Sequence, residues 1–298
     1  MITVRDLSKS FDDQLVLDGV NMVIPKGSIY GLIGRNGSGK TTIIKHLVGV
    51  LQSDTGTLMY DDKEIFENKE VKSHIAFMPD MIFFPPGATL KYMKDMYASY
   101  YDTFNEERYT KLVKVFQLDE RKNLRRLSKG MRKQAMFCLL MSVEPDFLIL
   151  DEPLDGLDPV ARKLFNEAII DDVAEREMSV LISSHNLREL ENICDMIGIL
   201  SEGKIIKECE LDDLKQDINK VQVAIKPEYD ADELYKKLNV MHIDSLGSVD
   251  MVIVRNNRED IESVLGDASL ILDIIPLSLE ELFIYENGGV SYDINELL

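Results

Sequence analysis

The chain has 298 residues, of which 45% are hydrophobic and 29% are charged, and its formal net charge is -19. A chain of this length and composition can bury an ordinary globular core, either as one large domain or as a large and a small one. The negative charge argues against a protein that wraps nucleic acid, because such proteins carry a basic surface, and we therefore expect no nucleic-acid partner.

Residues 1–33 are predicted to form short strands separated by turns. Apolar and polar residues alternate over residues 2–7, and residues 28–33 read as a buried strand that leads into a glycine-rich loop. Phe11 stands alone among polar neighbours. It could stack on a purine ring or pack at the edge of a sheet, and the local pattern favours neither interpretation.

The glycine-rich loop over residues 34–42 has the spacing G-x-x-x-x-G-K-[ST]. Backbone N–H groups of such a loop surround a polyphosphate, because glycines let the backbone approach closely and adopt positive φ angles. The lysine of the motif reaches the β- and γ-phosphates and the hydroxyl holds Mg²⁺. A helix over residues 41–49 would point its N-terminus at the phosphates. The predicted nucleotide ligands of this segment are Gly34, Arg35, Asn36, Gly37, Ser38, Gly39, Lys40, Thr41 and Thr42.

The next part of the chain changes from strands to helices. Residues 57–63 suggest a hairpin, and a further strand over residues 74–78 ends just before Asp80. Helical periodicity then dominates residues 81–143. Within that region, the Phe-Phe-Pro-Pro segment at residues 83–86 is either a buried crossing or a docking surface.

The most basic stretch of the chain, residues 121–134, leads into a helix. Ser128 reads as the N-cap of that helix, and Gly130 falls in its first turn. Basic residues, a serine and a helix N-terminus together favour an anion site, whereas a solvated charged face is the alternative.

Two apolar runs end in polar residues. The run at residues 147–150 ends in Asp151 and Glu152, and residues 180–182 lead in the same way to His185. A buried parallel sheet would deliver these side chains, together with Lys40, to the edge where α/β sheets bind ligands. One of the two carboxylates can hold Mg²⁺ while the other orients or deprotonates water. This convergence predicts an NTPase.

In this order, the motifs resemble those of the nucleotide-binding subunit of ABC transporters. Residues 34–42 look like Walker A, and residues 151–152 look like Walker B followed by the catalytic glutamate. Residues 127–131 are similar to the ABC signature, and His185 occupies the position of the switch histidine. Phe11 falls where the family places its adenine-stacking aromatic residue.

The resemblance implies a P-loop α/β fold in an ATPase domain over residues 1–215, with an antiparallel β-subdomain and a helical subdomain over about residues 81–143. It also implies ATP and Mg²⁺ as ligands. Glu152 would be the general base, His185 would contact the γ-phosphate, and Lys40 would stabilise the transferring phosphoryl group. The expected metal ligands are Thr41, Asp80 and Asp151.

Two departures from the family pattern stand out. The family usually has glutamine at the position of Asp80 and Leu-Ser-Gly-Gly-Gln at residues 127–131. Asp80 keeps an oxygen for Mg²⁺ or water, but it is shorter than glutamine and charged. Lys129 and Met131 resemble variants in drug and antimicrobial-peptide exporters whose membrane subunit is a separate chain.

The resemblance further implies two partners. A second copy or a paralogue would form a head-to-tail dimer in which Ser128 and Gly130 contact the ATP of the other chain. A membrane-spanning subunit would dock on the helical subdomain, so the chain would be cytoplasmic and peripheral on the inner face of the membrane. The expected function is ATP hydrolysis that powers export of a peptide, an antibiotic or a lipid-like compound. The alternative, a soluble ABC-type ATPase acting on ribosomes or DNA, shares these motifs, but the chain's acidity argues against it.

Residues 216–286 have a rhythm of their own. Their pattern predicts the order βαββαβ, and therefore a small α+β sandwich of the ferredoxin-like kind. The resemblance extends to the tails of drug- and peptide-exporter ATPases, and a role in dimer contact or regulation stands beside that of a stabilising appendage. Residues 287–298 are predicted to be a loose tail.

Overall fold

The computed structural model describes residues 1–211, 218–278 and 281. The chain divides into two compact units, Met1–Glu208 and Cys209–Leu298. The predicted boundary after residue 215 and the predicted tail over residues 287–298 both lie outside the described residues.

The first unit begins with strands and continues with alternating helices and strands. None of the described helices combines the length and the hydrophobicity that crossing a bilayer requires. In chain order the elements are β1 (Ile2–Phe11), β2 (Gln14–Ile24), β3 (Ile29–Ile33), α1 (Lys40–Leu47), β4 (Thr55–Tyr60), β5 (Lys63–Glu64), α2 (Lys69–Ser73), β6 (Ile75–Met78), α3 (Leu90–Tyr100), α4 (Glu106–Val115), α5 (Lys129–Ser142), β7 (Phe147–Asp151), α6 (Pro159–Arg176), β8 (Ser179–Ser184), α7 (Leu187–Leu190), β9 (Met196–Ser201) and β10 (Lys204–Glu210).

Two sheets build this unit. The first has the strand order β2-β1-β4-β5, and its paired strands are antiparallel. The second has the order β10-β9-β3-β8-β7-β6, and β3, β6, β7, β8 and β9 run parallel. Every residue of β3, β7 and β8 is buried, as expected for central strands covered on both faces. The carboxyl ends of these three strands therefore meet at one edge of the sheet.

The helical region predicted over residues 81–143 contains α3, α4 and α5. A side-chain cap opens each helix, since Thr89, Asn105 and Ser128 each accept a hydrogen bond from a backbone N–H of the first turn. Within residues 83–86, Phe84 is buried whereas 73% of Phe83 is exposed. The ring of Phe83 lies 5.1 Å from the guanidinium carbon of Arg125.

The second unit has the predicted order of elements. The paired strands of its sheet are antiparallel, and the strand order is β12-β13-β11-β14. Valines of β11 and β13 form a core with Ile261 and Leu265 of α9. The elements are β11 (Ile218–Ile225), α8 (Ala231–Tyr235), β12 (Val240–Leu246), β13 (Val249–Arg255), α9 (Arg258–Leu265) and β14 (Ser269–Pro276).

Candidate active site

The loop between β3 and α1 has a backbone that needs its glycines. Gly37 and Gly39 have φ angles of 86° and 110°, which residues other than glycine rarely adopt. A Cβ on Gly34 would lie 2.5 Å from the carbonyl oxygen of Leu200 and from Ser38 Oγ. Ser38 Oγ is buried and has no hydrogen-bond partner among the described residues. The loop is thus a close-packed cradle at the N-terminus of α1.

Lys40, the first residue of α1, reaches back over this loop. Its ammonium group donates to the carbonyl oxygen of Gly34 and lies 3.3 Å from that of Arg35. It also lies 3.5 Å from Glu152 Oε1. The loop and the end of β7 therefore meet at this buried cation.

Asp151, the last residue of β7, is fixed by two hydroxyl groups. Thr41 Oγ1 donates to Asp151 Oδ2 at 2.9 Å, and Ser183 Oγ donates to Asp151 Oδ1 at 2.6 Å. The backbone N–H of Glu152 donates in turn to Ser183 Oγ at 3.0 Å. Asp151 pairs with Ser183 in the register of β7 and β8, and this contact was not predicted from the sequence. Ser183 directly follows the apolar run of β8, so its place at a strand end was the available signal.

Glu152 follows β7 in a left-handed backbone conformation, with a φ angle of 48°. Its carboxylate lies between a cation and an imidazole, since Oε1 is 3.5 Å from Lys40 Nζ and Oε2 is 2.9 Å from His185 Nδ1. A carboxylate only accepts hydrogen bonds, so His185 Nδ1 carries the proton in this contact. Oε1 is buried and accepts no hydrogen bond from any residue that the structure describes. The predicted convergence of three strand ends is therefore present.

Asp80 approaches the same place from the end of β6. Its Oδ1 lies 3.4 Å from the ammonium groups of both Lys129 and Lys133, which are one turn apart on α5. Lys133 is buried and also donates to the carbonyl oxygen of Glu152. Burial lowers the pKa of Lys133, and the neighbouring charge of Lys129 lowers it further, whereas Asp80 opposes this change. Lys133 was not among the predicted site residues.

An open cavity joins most of the predicted residues. Six of the predicted residues, all of them described, do not line it: Phe11, Gly34, Ser38, Ser128, Gly130 and His185. Phe11 is 42% exposed at the end of β1, and the ammonium group of Lys9 lies 5.6 Å from its ring. The cavity is lined by Val16, Arg35, Asn36, Gly37, Gly39, Lys40, Thr41, Thr42, Asp80, Asp151 and Glu152.

The signature segment forms the start of α5. Ser128 Oγ accepts a hydrogen bond from the N–H of Met131 at 3.2 Å. A Cβ on Gly130 would lie 2.3 Å from the carbonyl oxygen of Gly156, so only glycine allows this close approach of the two backbones. Next to it, Lys129 Nζ pairs with Asp155 Oδ2 at 2.6 Å. The helix N-terminus thus packs on the segment that follows the carboxylates.

These groups suit a nucleoside triphosphate with a divalent cation. Residues 35–37 and 39–42 of the cradle line the cavity, and their backbone N–H groups and the ammonium group of Lys40 are donors for phosphate oxygens. Thr41 and Asp151 offer oxygen atoms, which are the ligands that Mg²⁺ prefers.

Known proteins carry the same pattern. Residues 17–155 match the family described as ABC transporter. The chain is 35% identical over 290 residues to the ABC transporter ATP-binding protein YtrB of Bacillus subtilis, and the match covers 97% of this chain and 99% of the relative. The chain belongs to the ATP-binding proteins of ABC transporters. Over 289 residues this ABC protein is also 27% identical to the bacitracin transport ATP-binding protein BcrA of Bacillus licheniformis, covering 91% of the chain and 94% of the relative.

Solved structures agree with this membership. The ABC subunit is 30% identical to a solved ATP-binding subunit of an ABC transporter, with a TM-score of 0.67 over 72% of this chain and 92% of that chain. The ATP-binding cassette MJ0796, solved as a dimer in a post-hydrolysis state with ADP and Pi, shares the fold at a TM-score of 0.63 and 17% identity. That match covers 71% of this chain and 99% of the cassette.

Proposed function

We propose that this ABC ATPase binds and hydrolyses ATP to power export through a separate membrane-spanning subunit. The observation that carries the proposal is the carboxylate of Glu152, held 3.5 Å from Lys40 Nζ and 2.9 Å from His185 Nδ1 beside the phosphate cradle. A base, a cation and an imidazole at one point are the groups that phosphoryl transfer to water needs.

The proposed reaction is attack of water on the γ-phosphorus of ATP. Glu152 accepts a proton from the water, the bond from the γ-phosphorus to the bridging oxygen breaks, and ADP leaves with that oxygen. Lys40 offsets the charge that builds on the transferring group. His185 holds Glu152 through its Nδ1–H and turns its other ring nitrogen toward the γ-phosphate.

Residues 34–42 bind the phosphates through their backbone, with the side chains of Arg35, Asn36, Ser38 and Thr42 around them. Thr41 and Asp151 would hold Mg²⁺, and Asp80 would offer an oxygen to the ion or to one of its water ligands. When bound, Mg²⁺ neutralises phosphate charge and draws electrons from the bond that breaks. Thr41 and Asp151 support this assignment because they already touch, at 2.9 Å.

Ser128 and Gly130, which do not line the cavity, serve a second copy or a paralogue. In a head-to-tail dimer, Ser128 and Gly130 at the N-terminus of α5 contact the γ-phosphate held by the other chain. The cap geometry supports this role, because a helix N-terminus favours an anion. Phe11, exposed at the end of β1, stacks on the adenine ring. ATP then closes the dimer and hydrolysis opens it.

The membrane partner docks on the helical subdomain, and the chain is cytoplasmic and peripheral on the inner face of the membrane through that partner. The exposed side chains of Met81 and Phe83 support this surface, since exposed apolar groups that occur together commonly mark an interface. Relatives named for bacitracin and lantibiotic transport support an antibiotic or peptide cargo. Residues 1–215 are the ATPase domain in this proposal.

Residues 216–286 form an accessory domain of the ferredoxin-like kind, which serves dimer contact or regulation. The order βαββαβ with the sheet order β12-β13-β11-β14 supports this classification, because the first and third strands of the unit are central and antiparallel.

The test is affinity capture of tagged Glu152→Gln protein from detergent-solubilised membranes of its source, with ATP present. The proposal predicts capture of a protein with several spanning helices and no P-loop of its own, in an ATP-dependent manner. Capture of ribosomal or DNA-associated proteins in its place would contradict the export proposal and favour the soluble alternative. The Lys40→Met variant, which lacks the phosphate-binding cation, is the matched control for ATP dependence.

A further inference from the structure

Lys133 is a buried cation whose contacts converge on the proposed general base. It lies on α5 and is 1% exposed. Its ammonium group donates to the carbonyl oxygen of Glu152, and it lies 3.4 Å from Asp80 Oδ1. Burying an ammonium group is costly unless it is paired and hydrogen-bonded, so these two contacts hold Lys133 in a defined position.

The Lys133 contact completes a clamp on the backbone of Glu152. The N–H of Glu152 donates to Ser183 Oγ at 3.0 Å, and the carbonyl oxygen of Glu152 accepts from Lys133 Nζ. Glu152 has a φ angle of 48°, a left-handed conformation that is uncommon for a non-glycine residue. The two contacts hold the backbone of Glu152 in the turn that brings its carboxylate between Lys40 and His185.

Asp80 connects this clamp to the nucleotide cavity. The Asp80 side chain lines the cavity, and Lys133 and Lys129 neutralise its charge from α5. An unpaired carboxylate here would repel a polyphosphate, so the two lysines make Asp80 compatible with a bound nucleotide.

We propose that Lys133 is a positioning residue that orients Glu152 for attack by water and, through Asp80, ties that orientation to the nucleotide cavity. The inference rests on the proposed function, because it takes Glu152 as the general base. Lys133 acts on turnover rather than on ATP affinity, because its contacts are with Glu152, the proposed base, and with Asp80 at the side of the cavity, rather than with the phosphate cradle at residues 34–42.

The test compares Lys133→Met with Lys133→Arg in the purified full chain. Lys133→Met removes the donor and the charge, and it is expected to lower kcat about 10- to 100-fold while the affinity for ATP changes less than about threefold. Lys133→Arg keeps a donor and a charge, and it is expected to restore at least about a third of the lost kcat. Lys72→Met is the matched control, because Lys72 Nζ donates to the carbonyl oxygen of Gly49 at 2.8 Å, elsewhere in the same unit.

A double-variant cycle decides whether Lys133 acts through Glu152. If it does, Lys133→Met adds less than about a twofold loss to Glu152→Gln, because two groups that act as a unit do not have additive effects. The inference would be overturned if the kcat losses of the two single variants multiplied in the double variant. A normal kcat in Lys133→Met, or a loss of ATP affinity alone, would also overturn it. If Lys133→Met does not fold, a folded Lys133→Arg with a kcat loss above about 100-fold overturns it equally.

The proposed function fails separately from this inference. Full turnover in Glu152→Gln alone would remove the general base and the proposed function with it. Loss of turnover in Glu152→Gln beside normal turnover in Lys133→Met would leave the proposed function standing and would reject only the role of Lys133.

Discussion

The two compact units contain helices and strands alike, but they arrange their polar groups differently. In the first unit β3, β7 and β8 run parallel. Lys40, Glu152 and His185 follow the carboxyl ends of these strands, and the Glu152 carboxylate lies 3.5 Å from Lys40 Nζ and 2.9 Å from His185 Nδ1. In the second unit the paired strands are antiparallel, and the carboxylate of Asp250 accepts hydrogen bonds from Tyr235 Oη and Ser245 Oγ, both at 2.7 Å.

Strand direction accounts for this difference. Parallel strands bring all their carboxyl ends to one edge of a sheet, whereas antiparallel strands send successive ends to opposite edges. The first unit can therefore collect a cation, two carboxylates and an imidazole at one place. In the described part of the second unit, valines of β11 and β13 form an apolar core with Ile261 and Leu265.

The sharpest test of this contrast is to remove the cation of the first unit. Lys40→Met is expected to lower ATP turnover at least about 100-fold, because the variant loses the charge that faces the phosphates. Turnover of ATP by the purified chain measures this effect. Lys45→Met is the matched control, since Lys45 is exposed on the same helix, and a control loss as large as that of Lys40→Met would contradict the assignment.

A second test places the same core truncation in each unit. Ile149 of β7 and Ile261 of α9 are both fully buried, and replacing either by alanine is expected to destabilise its unit by about 2–5 kcal/mol. Only Ile149→Ala should also lower kcat, by at least about 10-fold, because β7 carries Asp151 and leads to Glu152. Thermal unfolding and ATP turnover of the two variants measure both effects. Equal losses of turnover would show that the second unit shares in catalysis.

The smallest expected effect concerns His46 of α1, which is 1% exposed. Burial lowers the pKa of His46, while the contact of Nδ1 with the carbonyl oxygen of Thr42 at 2.7 Å opposes this. The folded state therefore binds fewer protons than the unfolded state below about pH 6.5, so stability falls as the pH drops through the folded-state pKa, by at most about 1.4 kcal/mol per pH unit. Denaturant unfolding between pH 7.5 and 5 should give a shallower decline for His46→Asn. Identical declines would exclude His46 as a cause.

Sequence reasoning reached the parts of the site that depend on local spacing. The cradle at residues 34–42 and the acidic pair at residues 151–152 belong to motifs of fixed spacing, and apolar runs mark the strands before them. Ser183 and Lys133 were missed because their roles depend on the register of β7 on β8 and on the packing of α5, which no local pattern encodes. The sequence also did not decide whether Phe11 stacks on a purine ring or packs at the edge of a sheet, because that choice depends on tertiary packing too.

In the fold, the predicted elements of both units are present, because turns and periodicity mark them clearly. The pattern of the Phe-Phe-Pro-Pro segment at residues 83–86 could not tell which of its side chains are buried, because an irregular segment has no regular alternation of buried and exposed residues. The structure buries Phe84 and exposes Phe83, and the carbonyl oxygen of Phe84 accepts a hydrogen bond from Arg125 Nε at 2.9 Å.

Glu152 is the proposed general base of a dimer that ATP closes, and one variant tests this role directly. ATP turnover and the oligomeric state of Glu152→Gln should be measured together, with and without ATP, beside the exposed control Glu70→Gln. Glu152→Gln is expected to lose turnover about 10²- to 10⁴-fold, to bind ATP normally and to accumulate as a dimer when ATP is present. Turnover near that of the unaltered chain, or a monomer that binds ATP without dimerising, would contradict this role.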